Sequence, residues 1–86
     1  SSKLDRYEGI MIFSFDSQIP AGNYATSDVL WNVSPAPKRA TRSLLMLGSN
    51  VIVMTIYNSG QVRFNASQNL ATDSYLIGEI VYYTDG

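Results

Sequence analysis

The chain reads as an all-β domain, a small antiparallel Greek-key barrel or jelly-roll-like sandwich of about six strands, and three observations predict it. Its apolar residues recur with a period of two or in short unbroken runs, without the 3.6-residue period of an amphipathic helix. Turn signals rich in Gly, Pro, Asn and Ser separate those runs at short intervals. The runs themselves are dominated by β-branched and aromatic residues, which fit a pleated, half-buried surface.

Taken in order, Ser1 to Glu8 is polar and charged, with Lys3, Asp5, Arg6 and Glu8 around Leu4 and Tyr7. It predicts a linker, or the end of a preceding module, with partial disorder. The chain also opens on Ser, as expected of a piece of a longer protein. A single domain is expected over 9–86. Its first strand runs from Ile10 to Phe15 and is apolar on both faces. Ile19-Pro20-Ala21-Gly22-Asn23 predicts a turn, because Pro presets φ and Gly or Asn accepts the left-handed region. A second strand is expected over 26–33, with Val29, Trp31 and Val33 on one face. Ser34 to Arg39 carries two prolines, which lack donors, and predicts an exposed connection.

Arg42 to Leu47 resumes the strand pattern, and Gly48-Ser49-Asn50 turns it into the centre of the chain. There Val51, Val53, Thr55 and Tyr57 alternate with Ile52, Met54 and Ile56, and Asn58-Ser59-Gly60 supplies residues that tolerate positive φ. Val62, Phe64 and Ala66 then alternate with Gln61, Arg63 and Asn65, so the centre is a β-hairpin with one wet arm and one dry arm. A strand dry on both sides lies in the middle of a sandwich or is covered by another subunit. Gln68 to Ser74 reads as a loop, and Tyr75 to Thr84 as the last strand. Tyr82 and Tyr83 point to its opposite faces, so at least one phenol is expected at a surface, an interface or a site.

Composition narrows the function. A chain of 86 residues buries only about 60–65% of the surface its unfolded form exposes. There is no Cys to cross-link it and no His to help hold a transition metal, yet 45% of residues are hydrophobic and 15% charged. Oligomerisation is the direct route to more burial. With a net charge of −1 the chain offers no footprint for nucleic acid or an anionic membrane. Its longest apolar runs, such as Leu44 to Leu47, fall far short of the roughly 20 residues that span a bilayer.

No catalytic signature is present. Without His, the usual base beside a nucleophilic Ser is missing. Asp16, Asp28, Asp73 and Glu79 are carboxylates that a glycosidase pair would need, but each fits a loop or strand end where it satisfies a turn. No D-x-D-x-D-G calcium spacing occurs, and no cofactor is expected. Binding remains. Gln61, Arg63 and Asn65 project from one face, and a guanidinium beside amides hydrogen-bonds sugar hydroxyls or a phosphate, against the alternative of a solvated face. Trp31, the only Trp, either stacks on a pyranose ring or fills the core beside Val29 and Val33. Tyr57 stands at a loop end, where sites on β scaffolds are built.

The turn I-P-A-G-N-Y, the Pro-rich connection, the G-x-V-R-F strand after an N-S-G turn and the closing I-V-Y-Y together resemble the C-terminal head domains of receptor-binding proteins from lactococcal tailed phages. The likeness covers Gly9 to Gly86. It implies a compact β head in the distal tail or baseplate of a virion, assembled as an obligate homotrimer on a neck of which Ser1 to Glu8 is the remnant. It further implies recognition of a host cell-wall saccharide in inter-subunit clefts. Such heads use an acidic residue, an aromatic ring, an Arg and sometimes a His, and this chain has no His. On that reading Arg63 and Asn65 bond hydroxyls or a phosphate, Asp73 accepts from a hydroxyl, and Trp31 or Tyr57 supplies a stacking wall. A structural trimerisation or fibre-tip module predicts the same oligomer without a ligand, and a lectin-like module of a secreted adhesin or enzyme predicts a monomer.

Overall fold

Alternation along the chain is realised as antiparallel pairing in a computed structural model that describes residues 1–84. Its strands are β1 (Ser2–Tyr7), β2 (Ile10–Ile19), β3 (Gly22–Tyr24), β4 (Trp31–Asn32), β5 (Thr41–Leu47), β6 (Asn50–Ile56), β7 (Gln61–Phe64), β8 (Gln68–Leu70) and β9 (Ser74–Tyr83), and no helix occurs among the described residues. Seven form one sheet in the order β1-β2-β9-β5-β6-β7-β4, and β3 pairs with β8 in a second. The last strand thus lies between β2 and β5, a placement proper to a Greek-key arrangement and foreign to a simple meander.

Side-chain direction follows the register. Met11 lies opposite Tyr82 and Phe13 opposite Ile80, so alternate residues of β2 and β9 share the inner face. Leu45 and Leu47 of β5, Met54 and Ile56 of β6, and Val62 and Phe64 of β7 join them in one buried core. The sheet is curled around it into a half-barrel. β2 and β4 lie near opposite ends of the strand order, yet Trp31 of β4 meets Phe13 edge to face at 5.8 Å and Phe15 at 4.9 Å. The small β3–β8 sheet covers the same concave side, with Tyr24 edge-on to Phe64 at 5.8 Å and Leu70 packed against the core.

Two glycines make these approaches possible. Gly78 of β9 faces Phe15 in the ladder at φ +139°, and a Cβ there would collide with Leu45 Cδ2. Gly60 closes the β6–β7 hairpin at φ +91°, where a Cβ would come within 2.5 Å of the Val33 carbonyl oxygen. Its N–H donates to Tyr57 O at 2.8 Å, while Tyr57 N–H donates to Gln61 O at 2.8 Å. The loop is therefore a tight turn ending in a left-handed glycine, and Asn58 and Ser59 keep negative φ.

Several elements differ from expectation. The stretch expected as a partly disordered linker is strand β1, paired with β2 from Ser2–Phe15 to Tyr7–Ile10, with Leu4 against the core. The strand expected over 26–33 survives only as Trp31–Asn32. Asp28 explains its loss: its carboxylate accepts Ala25 N–H at 2.7 Å and its own N–H donates to Ala25 O at 3.1 Å, which folds that stretch into a turn. The Pro-rich connection is only partly exposed, since Pro37 is buried and Pro35 O accepts the Tyr82 hydroxyl at 2.8 Å. The loop expected after the central hairpin contains β8.

Of the two covers expected for the dry second face, a second layer of the same chain is not found among the described residues. Much of that face is exposed among the described residues. On the convex side Leu44 is 68% exposed, Val51 62% and Tyr83 62%, and Ile77, Val81 and Met46 are exposed beside them, while Ile10 and Ile12 are half-buried. Register makes these neighbours: Tyr83 faces Ile10, Val81 faces Ile12, and Met46 stands between Ile77 and Val51. Exposed Glu79, opposite Ser14, divides them into two apolar clusters, one of Ile10, Ile12, Val81 and Tyr83 on β2 and β9, the other of Leu44, Met46, Val51 and Ile77 on β5, β6 and β9.

Candidate binding site

At one end of the convex face the apolar surface gives way to a polar cluster built on three adjacent strands. The two-residue β5–β6 turn sets Leu47 opposite Asn50, which carries Arg42 beside Thr55, and the next hairpin sets Thr55 beside Arg63. Arg42, Thr55 and Arg63 thus form a row across the sheet, spanning two inter-strand spacings, or roughly 9.5 Å. Asn65 follows β7, anchored by its N–H to Val53 O at 2.9 Å. Its Oδ1 accepts from Arg42 Nε and from the buried Thr55 hydroxyl, both at 3.2 Å.

Arg63 is held from two sides. Its Nη2 donates to Gln61 Oε1 at 2.6 Å, and its guanidinium carbon lies 4.4 Å from the centroid of the Tyr57 ring. That cation–π contact is worth about 0.5–1 kcal/mol where water has access. Nε of Arg63 is buried and has no hydrogen-bond partner. No carboxylate neutralises either arginine: the ion pair found among the described residues is Lys3–Asp5, 3.5 Å apart on β1. Two like charges on one face therefore have no ion-pair partner among the described residues. This arrangement can grip a group rich in acceptor oxygens, a pair of hydroxyls or a phosphate.

No known protein family, curated protein or solved structure matches this chain. The residues themselves carry the functional argument.

Of the residues singled out by sequence, Tyr57, Arg63 and Asn65 come together here, with Gln61. Trp31 does not join them. It lies opposite Val62 on the concave side, half-buried against Phe13 and Phe15, so its core role is the one realised. Asp73 is also apart, beside the β5–β6 turn at the far end of β6 from Thr55, roughly 17 Å along the strand. Its Oδ1 accepts Ala21 N–H at 2.8 Å, the turn-satisfying role expected of it, and Asp28 serves its own turn likewise. Arg42 and Thr55 went unnoticed in the sequence, although the two-residue turn at Gly48-Ser49 already fixes the register that brings them beside Arg63. No group of three or more acidic side chains converges as a metal site among the described residues.

Proposed function

We propose that this domain is a non-enzymatic recognition head of a virion's distal tail or baseplate, which binds a saccharide on the host bacterial surface and acts as a homotrimer. The observation that carries the reading is Arg63: half-buried, propped by Gln61 and Tyr57, and without an ion-pair partner among the described residues. A guanidinium held in place by neighbours loses little entropy when it binds an acceptor-rich group through its remaining N–H donors. Arg42 and Asn65 extend the donor set, and Tyr57 offers an aromatic edge beside it.

The convex apolar face supports the assembly. Monomers rarely expose contiguous patches beyond about 300–600 Å². Leu44, Met46, Val51, Ile77, Val81 and Tyr83 are all exposed on this face, more large apolar side chains than a solvated sheet surface ordinarily carries. The likeness of its turns to phage head domains supports the biological setting. Each net hydrogen bond contributes about 0.5–1.5 kcal/mol, so micromolar to millimolar binding at one site suffices when several heads act together and raise avidity by roughly 10²–10⁴.

The test is binding of fluorescently labelled domain to a panel of Gram-positive cells before and after removal of surface polysaccharide. Strain-selective binding that disappears with the polysaccharide, and that falls at least tenfold in Arg63→Ala, is the expected result. A structural trimerisation module, favoured by the apolar face alone, gives an oligomer that binds no strain and is indifferent to Arg63→Ala. A lectin-like module of a secreted protein binds as a monomer.

A further inference from the structure

We infer that the cleft between the β5–β6 turn and the β8–β9 loop is a second binding site, separate from the arginine cluster, for an uncharged saccharide unit. The cleft has a volume of about 570 Å³ and lies at the β5–β6 turn end of the sheet, at the far end of β6 from Arg63. That volume falls within the ~300–1,000 Å³ of small-molecule sites.

Its chemistry selects the ligand. Ser49, Asn50, Asn69, Thr72 and Asp73 line it with hydroxyls, amides and one carboxylate, and the half-exposed ring of Tyr75 stands at its mouth. Amides and hydroxyls both donate and accept, which suits a polyol whose every hydroxyl does the same. No Lys or Arg lines the cleft, and Asp73 adds negative charge, so a phosphate or carboxylate ligand is disfavoured here. The arginine cluster and the cleft are therefore complementary to different groups, acceptor-rich at the arginines and neutral at the cleft.

Turn-making does not account for this lining. It explains Asp73, which caps Ala21, and Ser74, whose hydroxyl donates to Thr72 O at 3.2 Å. The side chains of Ser49, Asn50 and Asn69 make no hydrogen bond to the described residues and face open space. Meanwhile the walls that carry them are fixed. Gly48 N–H donates to Tyr75 O at 2.9 Å and ties the turn to β9, while Asn69 is held opposite Asn23 in the β3–β8 ladder. Asp73, bound through Oδ1, keeps Oδ2 for a ligand. Polar groups on a pinned frame lose little entropy when a ligand arrives.

The experiment is a nitrogen-15 amide NMR titration of the whole chain with the methyl glycosides of glucose, galactose, rhamnose and N-acetylglucosamine into the millimolar range. We expect saturable shifts at Gly48, Asn69, Ala71 and Ser74 with at least one glycoside. They should weaken at least tenfold in both Asn69→Ala and Asn50→Ala and persist in Arg63→Ala. The inference is overturned if no glycoside gives saturable shifts at these amides, if the shifts centre on Arg42 and Arg63, or if both cleft variants bind as the parent does. Because Arg63→Ala is included, loss of one site is distinguishable from loss of the other.

Discussion

Tyr82 and Tyr83 are chain neighbours with opposite surroundings. Tyr83 is exposed on the convex face, whereas Tyr82 is wholly buried, its hydroxyl donating to Pro35 O. Burial raises the Tyr82 phenol above its ordinary value of 10.0. The folded protein then keeps a proton that the unfolded chain releases, so the stabilisation is complete below about pH 10 and declines as pH rises toward the folded phenol's own value. Tyr82→Phe should lose about 0.5–1.5 kcal/mol at neutral pH, the value of one hydrogen bond, and should flatten the alkaline decline. Urea midpoints measured from neutral to strongly alkaline pH check both effects, and an unchanged alkaline slope would assign the decline to other groups. This divergence was legible from alternation alone. So was the row of Gln61, Arg63 and Asn65, because one short stretch, β7 and the residue after it, carries it. Arg42 and Thr55 were harder to find, since their meeting with Arg63 depends on register between strands.

At the scale of elements, β9 and β5 show how one missing side chain shapes a sheet. The two strands pair only at Met46–Ile77 and Leu47–Leu76. Beyond that, Leu45 fills the place where residue 78 would carry a Cβ. Gly78→Ala should therefore cost roughly 1–3 kcal/mol, from backbone strain at positive φ together with overpacking. Thermal unfolding of the variant checks this, and an unchanged midpoint would mean that Leu45 has room to move aside. The strands that alternate over seven or more residues, β2, β5, β6 and β9, were legible in the sequence, as was the shorter arm β7. β1, β3 and β8 were not, because they are short or polar and take their extended form from a partner's ladder. β4 was overestimated because Asp28 competes for the backbone with a turn that strand propensity does not register.

For the whole molecule the dominant fact is an apolar convex face on a chain that already has a core. The sequence showed strands apolar on both sides, and periodicity alone left open whether a second layer of the same chain or another copy covers them. The half-barrel has no second layer there. Ile77→Lys and Leu44→Asp should leave the monomer's stability within about 0.5 kcal/mol, as exposed positions do, while abolishing self-association. Sedimentation equilibrium checks this against the parent, and a parent chain that stays monomeric at high micromolar concentration would sink the trimer. Assembly would also make the parent's melting temperature rise with concentration. The curl of the sheet has a further, optical consequence. Its free edge is pinned by Trp31, the single indole of the chain, packed against the Phe13–Phe15 pair of a strand near the opposite edge. The emission colour of this one fluorophore therefore reports one event, the uncurling of the half-barrel, and a red shift ahead of the loss of β-sheet signal would reveal opening before melting.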